Sequence, residues 1–259
     1  MKNSHYFFNL ITIGLLLIGT EPTLALPSTN GSARSDNSIT RVSFTPPPDD
    51  KQPDRTAGAG SRGGQCSQDA TVPPASTPPL MALVPTTNRG LTLAERPTFY
   101  VHLPRTSAKQ VVLSIREADT NKPYSQTFFP ITGSGIISLK PSDNSPPLEV
   151  GKTYQWAVVL LCDERPNPND PAITSSVRRV APSQPINQGT ALQQADWYGN
   201  HGYWYDALAY FAKALAEAKR TQSKNQTLTD NWTAFLKSAG LGEIATEPIQ
   251  DLQPSTVAQ

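Results

Sequence analysis

The chain has 259 residues, with 22 basic and 21 acidic side chains and a formal net charge of +1. This balance gives no indication of the basic surface of a nucleic-acid-binding protein or of the polybasic segment of a peripheral membrane protein, and we expect no nucleic-acid partner. The 25 prolines are about twice the average share and indicate long segments without regular secondary structure.

The first 25 residues have the order of a secretory signal peptide. Lys2 supplies a positive charge, residues 6–19 form an uncharged and mostly apolar run, and Thr23 and Ala25 put small residues at the −3 and −1 positions of a cleavage site. We expect cleavage after Ala25, export to the periplasm or the medium, and no integral membrane protein after cleavage. The apolar run is shorter than the roughly 20 residues that span a bilayer, so an uncleaved anchor is the weaker alternative.

Residues 26–64 are rich in proline, serine, threonine, asparagine and glycine. Few apolar side chains are available there to offset the entropy that the chain would lose on ordering. We therefore predict a disordered linker, in which Val42 and Phe44 are the candidates for one extended apolar contact.

Between residues 65 and 185, short alternating apolar runs are separated by turn residues. The clearest run places Tyr154, Trp156 and Val158 on one face at period two. Because no helical crossover joins the runs, we predict an antiparallel β-sandwich domain. The predicted strands are 80–84, 99–103, 111–116, 124–129, 136–139, 154–162 and 175–180.

Residues 148–156 follow the pattern Leu-x-x-Gly-x-x-Tyr-x-Trp, and Pro97-Thr98-Phe99 opens an earlier aromatic-rich strand. With this order the segment resembles a fibronectin type III or immunoglobulin-like module. The resemblance implies that Tyr154 forms a tyrosine corner, with a buried ring and a hydroxyl paired with nearby backbone. It implies almost nothing about function.

After residue 185 the apolar period changes from two to about 3.6, which indicates a helical subdomain over residues 186–245. The spacing of alanines and aromatics between residues 195 and 214 resembles one tetratricopeptide repeat, which cannot bury its face alone. The helical pair therefore docks either on its own sandwich or on a partner. The predicted segments are helices over 189–199 and 203–220, a third helix from the N-cap Thr229 to a left-handed C-cap at Gly240, and a loose tail over 246–259.

Two cysteines follow the predicted cleavage site, Cys66 and Cys162. An exported chain meets oxidising conditions, so a disulfide between them is the first interpretation and two unconnected thiols are the alternative. A metal site is the poorest option, because there is no Cys-x-x-Cys pair and His102 and His201 lie far from both cysteines along the chain. We expect no metal and no cofactor.

Several short motifs, none specific alone, together resemble one family. The motifs are Arg62-Gly-Gly64 with Cys66, Leu83-Val84-Pro85, Pro97-Thr98-Phe99, the pattern over 148–156, Leu160-x-Cys162-Asp163, Gly202-x-Trp204-Tyr205-Asp206-Ala207, Trp232 and Gly240-Leu241. As a set they are similar to a cyanobacterial exported family known only as domain of unknown function number 928. The resemblance implies the disulfide, the two-part architecture and an envelope or extracellular location, and it supplies no activity.

The sequence contains no motif for nucleophilic catalysis. There is no Gly-x-Ser-x-Gly elbow, and Gly133-Ser134-Gly135 is interpreted as a hairpin turn. His102 falls on the outward face of its predicted strand. His201 lies at a helix junction, where a polar cap is the ordinary interpretation.

Acidic residues offer two weaker hypotheses. Asp163 or Glu164 with Asp206 could form the carboxylate pair of a glycosidase, although solvated acids are the simpler interpretation. Asp206 is also favoured near a helix N-terminus by the helix dipole. The loop 163–170 could bind calcium weakly, but it lacks the regular alternation and the glycine of a dedicated site.

Aromatic residues between 197 and 210 are the best candidates for binding, because aromatic side chains stack on sugars and anchor peptides. At helical spacing they can instead form the packing seam between the helices and the sandwich. Arg178 and Arg179 could contact an anion, although a solvated pair on an edge strand is the simpler interpretation. The candidate binding surface consists of Trp197, Tyr203, Trp204 and Tyr205.

We therefore expect a mainly β protein with C-terminal helices that acts as an exported, non-catalytic interaction or adaptor module of the cell envelope. Its expected partner is an envelope or secreted protein. A carbohydrate-binding or surface-structural sandwich is the alternative, and a hydrolase is a weaker one.

Overall fold

The structure, a computed structural model, describes residues 41–48, 65–69, 78–85, 90–118, 120, 123–222 and 225–255. The predicted signal peptide with its cleavage after Ala25 lies outside these residues, as does most of the predicted linker. The described residues fall within one unit of the chain.

Strands and helices follow the two apolar periods of the sequence, and each of the seven predicted strands corresponds to an observed one. Two further strands, β2 and β9, were not predicted. The elements are β1 (Met81–Ala82), β2 (Leu91–Thr92), β3 (Phe99–Leu103), β4 (Gln110–Glu117), β5 (Pro123–Pro130), β6 (Gly135–Leu139), β7 (Thr153–Leu161), β8 (Ala172–Arg179), α1 (Ala191–Asn200), α2 (Trp204–Arg220), α3 (Gln226–Ser238), a 3₁₀ turn (Gly242–Ile244) and β9 (Ile249–Asp251).

The strands form two sheets, one of four strands in the order β1-β3-β6-β9 and one of five strands in the order β2-β8-β7-β4-β5. Pairing is antiparallel as expected throughout the centre of both sheets. At two edges the pairing is parallel instead, because β2 pairs with β8 and β9 pairs with β6. Parallel neighbours need long connections, so these short edge strands give no local signal in the sequence.

Both faces of the four-stranded sheet are covered, since every residue of β3 and β6 is buried. On the inner face Phe99 packs against Trp156 of the other sheet, with 5.0 Å between ring centroids. The ring of Tyr154 is also buried, and its hydroxyl accepts a hydrogen bond of 3.0 Å from the backbone amide of Glu149. This is the contact expected of a tyrosine corner.

A tight turn at Gly202 joins α1 to α2. Gly202 has φ +78°, and the amide of Tyr203 donates to the carbonyl of Tyr198, which is the pattern of a Schellman motif. The same pattern ends α3 at Gly240, as predicted, with φ +82°. The predicted N-cap Thr229 is wrong: α3 begins one turn earlier, and the Asn225 side chain accepts from the Leu228 amide.

The helices dock on their own sandwich and share one apolar core with it. The indole N–H of Trp204 donates to the carbonyl of Leu83 next to β1, at 2.8 Å. The Trp204 ring stacks on Phe235 of α3, with centroids 5.0 Å apart. Sandwich and helices therefore form one folded body and not two separable modules.

Part of the predicted disordered linker, residues 41–48, packs on the helical pair. Val42 is 2% exposed, and Phe44 meets Trp204 edge to face at 4.9 Å. The amide of Thr45 donates to the carbonyl of Gly199. A Cβ on Gly199 would lie 2.2 Å from the Ser43 carbonyl oxygen, so this close approach of two backbones requires glycine.

The segment predicted as a loose tail, 246–259, contains β9. Ile249 pairs with Ile136, and Leu252 beyond the strand is buried. The amide of Ser255 then donates to the carbonyl of Phe128 on β5, at 2.7 Å. The described end of the chain thus runs from the edge of one sheet to the edge of the other.

The Cys66–Cys162 disulfide is confirmed, with 5.4 Å between the two Cα atoms. It connects the segment 65–69 to the end of β7, across a sequence separation of 96 residues. Asp69 adds to this anchor, because its carboxylate accepts from the Cys66 amide and the Thr106 hydroxyl.

Replacing both cysteines by alanine is expected to lower the free energy of unfolding by on the order of 4–5 kcal/mol, since the bond closes a loop of about 100 residues. Urea unfolding of the oxidised protein and the variant measures this difference. Dithiothreitol should move the midpoint of the parent protein towards that of the variant and leave the variant unchanged. Equal midpoints for the oxidised parent and the variant would contradict the prediction.

Candidate functional site

The aromatic residues predicted as a binding surface lie mostly inside the protein. Tyr203, Trp204 and Tyr205 are 4%, 0% and 1% exposed, so they form the packing seam and not a surface. Trp197 remains partly exposed. Its ring stacks on His201, with 4.3 Å between centroids.

Tyr205 connects the helices with both sheets. Its hydroxyl accepts from the indole N–H of Trp156 at 2.8 Å and donates to the carbonyl of Ser176 at 2.9 Å. The ring also meets Phe99 edge to face. A Cβ on Gly90 would lie 2.5 Å from this ring, so the residue before β2 must be glycine to leave space for the Tyr205 side chain.

Both candidate histidines lie against backbone carbonyls. His102, expected on an outward face, is 3% exposed, and its Nδ1 lies 2.8 Å from the carbonyl oxygen of Pro79. Strand β3 is covered on both faces, and for this reason the alternation of side chains along the strand wrongly predicted that His102 is exposed. His201 follows α1, and its Nδ1 lies 2.6 Å from the Trp197 carbonyl oxygen, as expected of a helix cap.

The carboxylates of the loop 163–170 are either exposed to solvent or paired with the backbone of the loop. Asp163 and Glu164 are exposed. Asp170 is buried and accepts hydrogen bonds from the backbone amides of Asn167 and Cys162, so it holds the loop together. Within the described residues, no group of three or more histidine, cysteine, aspartate or glutamate side chains is arranged to hold a metal ion.

The arginine pair does not lie on an edge strand, because β8 is flanked by β2 and β7. Arg178 is exposed. Arg179 donates to the carbonyl oxygens of Leu148 and Leu93 and forms an ion pair with Glu95 at 3.1 Å. Arg179 therefore joins two loops to β8 and is not free to hold an anion.

Asp206, expected as a solvated acid, is buried in the first turn of α2. Its carboxylate accepts a 2.9 Å hydrogen bond from the Leu93 amide, next to β2. Burial raises the pKa of Asp206 to about 6, and hydrogen bonds from Leu93 and the Thr92 hydroxyl oppose part of that rise. The side chain ties the start of α2 to the edge of the five-stranded sheet.

A half-open groove of about 590 Å³ lies between α2, α3, Tyr100 of β3 and the segment 245–251. This volume is in the range of ordinary ligand sites. The groove was not anticipated, because its walls come from four separate parts of the chain. We call it the alanine groove, and its apolar lining includes Ala209, Ala212, Ala216, Trp232, Ile249 and Pro248.

Charged side chains of opposite sign stand on the two banks of the alanine groove. Lys213 and Lys219 lie on the α2 bank, and Glu247 and Asp251 lie on the bank next to β9. Among the described residues none of the four forms an ion pair. The carboxylate of Asp251 accepts a 2.6 Å hydrogen bond from the Ser138 hydroxyl, and the ammonium of Lys213 lies 5.7 Å from the centroid of the Tyr210 ring. The groove thus offers an apolar floor between charges that form no ion pair within the described residues, which suits an amphipathic occupant.

Replacing Tyr205 by phenylalanine is expected to lower the free energy of unfolding by roughly 1–3 kcal/mol, because the buried indole N–H of Trp156 loses its acceptor. Chemical unfolding of both proteins measures the loss. Tyr124→Phe is the matched control: its hydroxyl donates to the Pro147 carbonyl in a bond that is not buried. Equal effects of the two substitutions would contradict the prediction.

The buried Asp206 predicts a pH dependence of stability. Its pKa is about 6 in the folded chain against an ordinary 3.8, so the folded state binds the proton more tightly and stability falls as pH rises from about 4 to above 6. Relative to Asp206→Asn, the parent protein should gain about 1 kcal/mol in unfolding free energy between pH 8 and pH 5. Urea unfolding at several pH values measures the difference, in which other titrating groups cancel. Parallel profiles would refute the assignment.

Comparison with curated proteins and with solved structures found no match to the chain. No helix among the described residues is long and apolar enough to cross a membrane. A family model described as a Domain of Unknown Function, DUF928, matches residues 57–249. This match includes the disulfide, the first eight strands and all three helices. The chain therefore belongs to the DUF928 family.

Proposed function

We propose that the protein is an exported, non-catalytic interaction module of the cell envelope, which holds a segment of an envelope or secreted protein in the alanine groove. The observation that carries the proposal is the apolar groove with charged side chains of opposite sign on its two banks. Grooves of this kind accept segments of a partner whose apolar side chains fill the floor.

Export is supported by the order of residues 1–25 and by the disulfide. Disulfides persist in oxidising compartments and are rare in reducing ones. We place the protein in the periplasm or the medium of a cyanobacterium, in keeping with the resemblance of its motifs to an exported family of those organisms.

A non-catalytic role is supported by the positions of the candidate catalytic groups. His102 and His201 each lie against a backbone carbonyl, and the carboxylate of Asp206 is occupied by backbone and hydroxyl donors. A general base must lie within hydrogen-bond reach of its substrate, and His102 and Asp206 are both buried, while the Nδ1 contact of His201 caps α1.

The immunoglobulin-like relationship of the two sheets belongs to the same proposal. It is supported by the hydrogen bond from the Glu149 amide to the Tyr154 hydroxyl and by the antiparallel centre of the five-stranded sheet. Such sandwiches commonly serve as rigid supports for a binding surface, although the fold alone assigns no function.

Carbohydrate binding is the second candidate, favoured by a polar depression of about 540 Å³ that shares Tyr100 and Asp251 with the alanine groove. Its lining includes Thr98, Ser138, Lys140 and Asn144, which can exchange hydrogen bonds with sugar hydroxyls. The rings that sequence offered as a stacking platform, Trp204 and Tyr205, are buried, which makes this candidate the weaker one.

Export is tested by the intact mass of the protein recovered from the host envelope and medium. We expect a mature chain that begins at Leu26 and whose mass shows the disulfide. Recovery of a chain that still carries residues 1–25 in the cytoplasm would contradict export.

The alanine groove is tested by crosslinking the tagged protein in its host and comparing it with a groove-filling variant. We expect Ala216→Trp to abolish capture of one specific envelope protein, since Ala216 lies exposed at the groove. Ala181→Trp, an equal change at an exposed alanine outside the groove, should leave capture intact. Deleting the helices is not a usable control, because it would expose the shared core.

Equal capture by both variants would contradict a role for the groove. Binding of soluble glycans that Ala216→Trp leaves unchanged and Lys140→Ala abolishes would support the carbohydrate candidate instead.

A further inference from the structure

The strand β9 is an edge, and its backbone groups divide into two sets. The carbonyl of Pro248 accepts from Ile136, and the amide of Leu252 donates to Ser138, so residues 248, 250 and 252 face β6. By alternation the amides and carbonyls of Ile249 and Asp251 face away from the sheet. Among the described residues, no recorded hydrogen bond uses these four groups.

The side chains along this free edge alternate between the alanine groove and the opposite face of the sheet. Glu247, Ile249 and Asp251 all line the alanine groove, whereas Gln250 turns away and donates to the Ser134 carbonyl. The edge thus presents an acid, an apolar residue and a second acid at intervals of two residues. The cations of the groove, Lys213 and Lys219, stand on the opposite α2 bank.

We propose that the partner segment binds as an extended strand added to β9, with the pattern basic-x-large apolar-x-basic. This inference rests on the proposed function and names the chemistry of its partner. The segment's backbone pairs with Ile249 and Asp251, and its apolar side chain reaches over Ile249 into the alanine groove. Its two basic side chains lie opposite Glu247 and Asp251.

Strand addition fits this edge better than a docked helix does. Added strands gain affinity from main-chain hydrogen bonds and specificity from pockets for alternate side chains, and β9 supplies both. Opposite charges directly across a strand pair are favourable, and like charges are unfavourable. The acids of the edge therefore select basic residues in the segment, while the lysines across the groove disfavour basic residues on the α2 side.

The flanking prolines set the length of the paired segment. Pro248 and Pro254 bracket the free edge, and such residues normally protect short edges from unspecific pairing. Between them β9 itself has two outward residues, Ile249 and Asp251, so a segment of about five residues suffices.

The test selects binders from a displayed library of random decapeptides on the purified, disulfide-bonded protein. We expect enriched sequences with the basic-x-apolar-x-basic pattern, whose synthetic peptides lose binding to Ala216→Trp and keep it with Ala181→Trp. Glu247→Gln with Asp251→Asn should weaken these peptides by about tenfold or more, in a salt-dependent manner.

Backbone N-methylation of the enriched peptide then separates the two levels of the proposal. Only every second amide of an added strand faces β9. Methylation of these amides should weaken binding by about tenfold or more, because each loses its hydrogen bond to β9. Methylation of the amides between them, which face away from β9, should have little effect.

A peptide that depends on Ala216 but shows no such alternation overturns strand addition and leaves the groove as a binding site. The absence of any enriched peptide that Ala216→Trp weakens overturns both the strand inference and the proposed function. Equal binding by acidic peptides overturns the charge pattern.

Discussion

The hydroxyl of Tyr205 makes the contact on which the rest of this structure depends. It joins the first turn of α2 to Trp156 and Ser176 in the five-stranded sheet, while its ring packs on Phe99 of the four-stranded sheet. A buried polar group must be paired, so this geometry leaves the helix one position relative to the two sheets. The absence of a side chain at Gly90 makes room for the ring, and the neighbouring Asp206 ties the same helical turn to the backbone next to β2.

This constraint changes what the helical pair can do. Helices that share a core with the sandwich cannot swing out as an independent adaptor, so any partner must bind to what the packing leaves outside. Most of the large aromatic side chains of α2 are buried on its inner side, against the sheets and α3. Small side chains on its outer side, among them Ala209, Ala212 and Ala216, leave the depression that becomes the alanine groove. The groove is thus a consequence of the packing seam.

The end of the described chain completes that surface. Residues 245–252 lie beside α2 and α3, add β9 to the four-stranded sheet, and bring two acids to face the lysines of α2. The disulfide and the packed segment 41–48 stabilise other sides of the same body, so the groove has a rigid support. A preformed groove lowers the ordering cost of the proposed binding, which then falls mainly on the proposed partner segment.

The sequence by itself determined the local elements, because apolar period two and period 3.6 depend only on neighbouring residues: the strands around Phe99 and Trp156, the long helix α2 and the C-cap at Gly240 were all predictable. The pairing of Cys66 with Cys162 was predictable as well, since the signal-like start of the chain and the cysteine count supported it. Tertiary structure alone decided that His102 and Asp206 are buried, because their cover comes from distant segments. It also decided β2, β9 and the alanine groove, since each of these short strands exists only where it pairs in parallel with a strand that is distant along the chain.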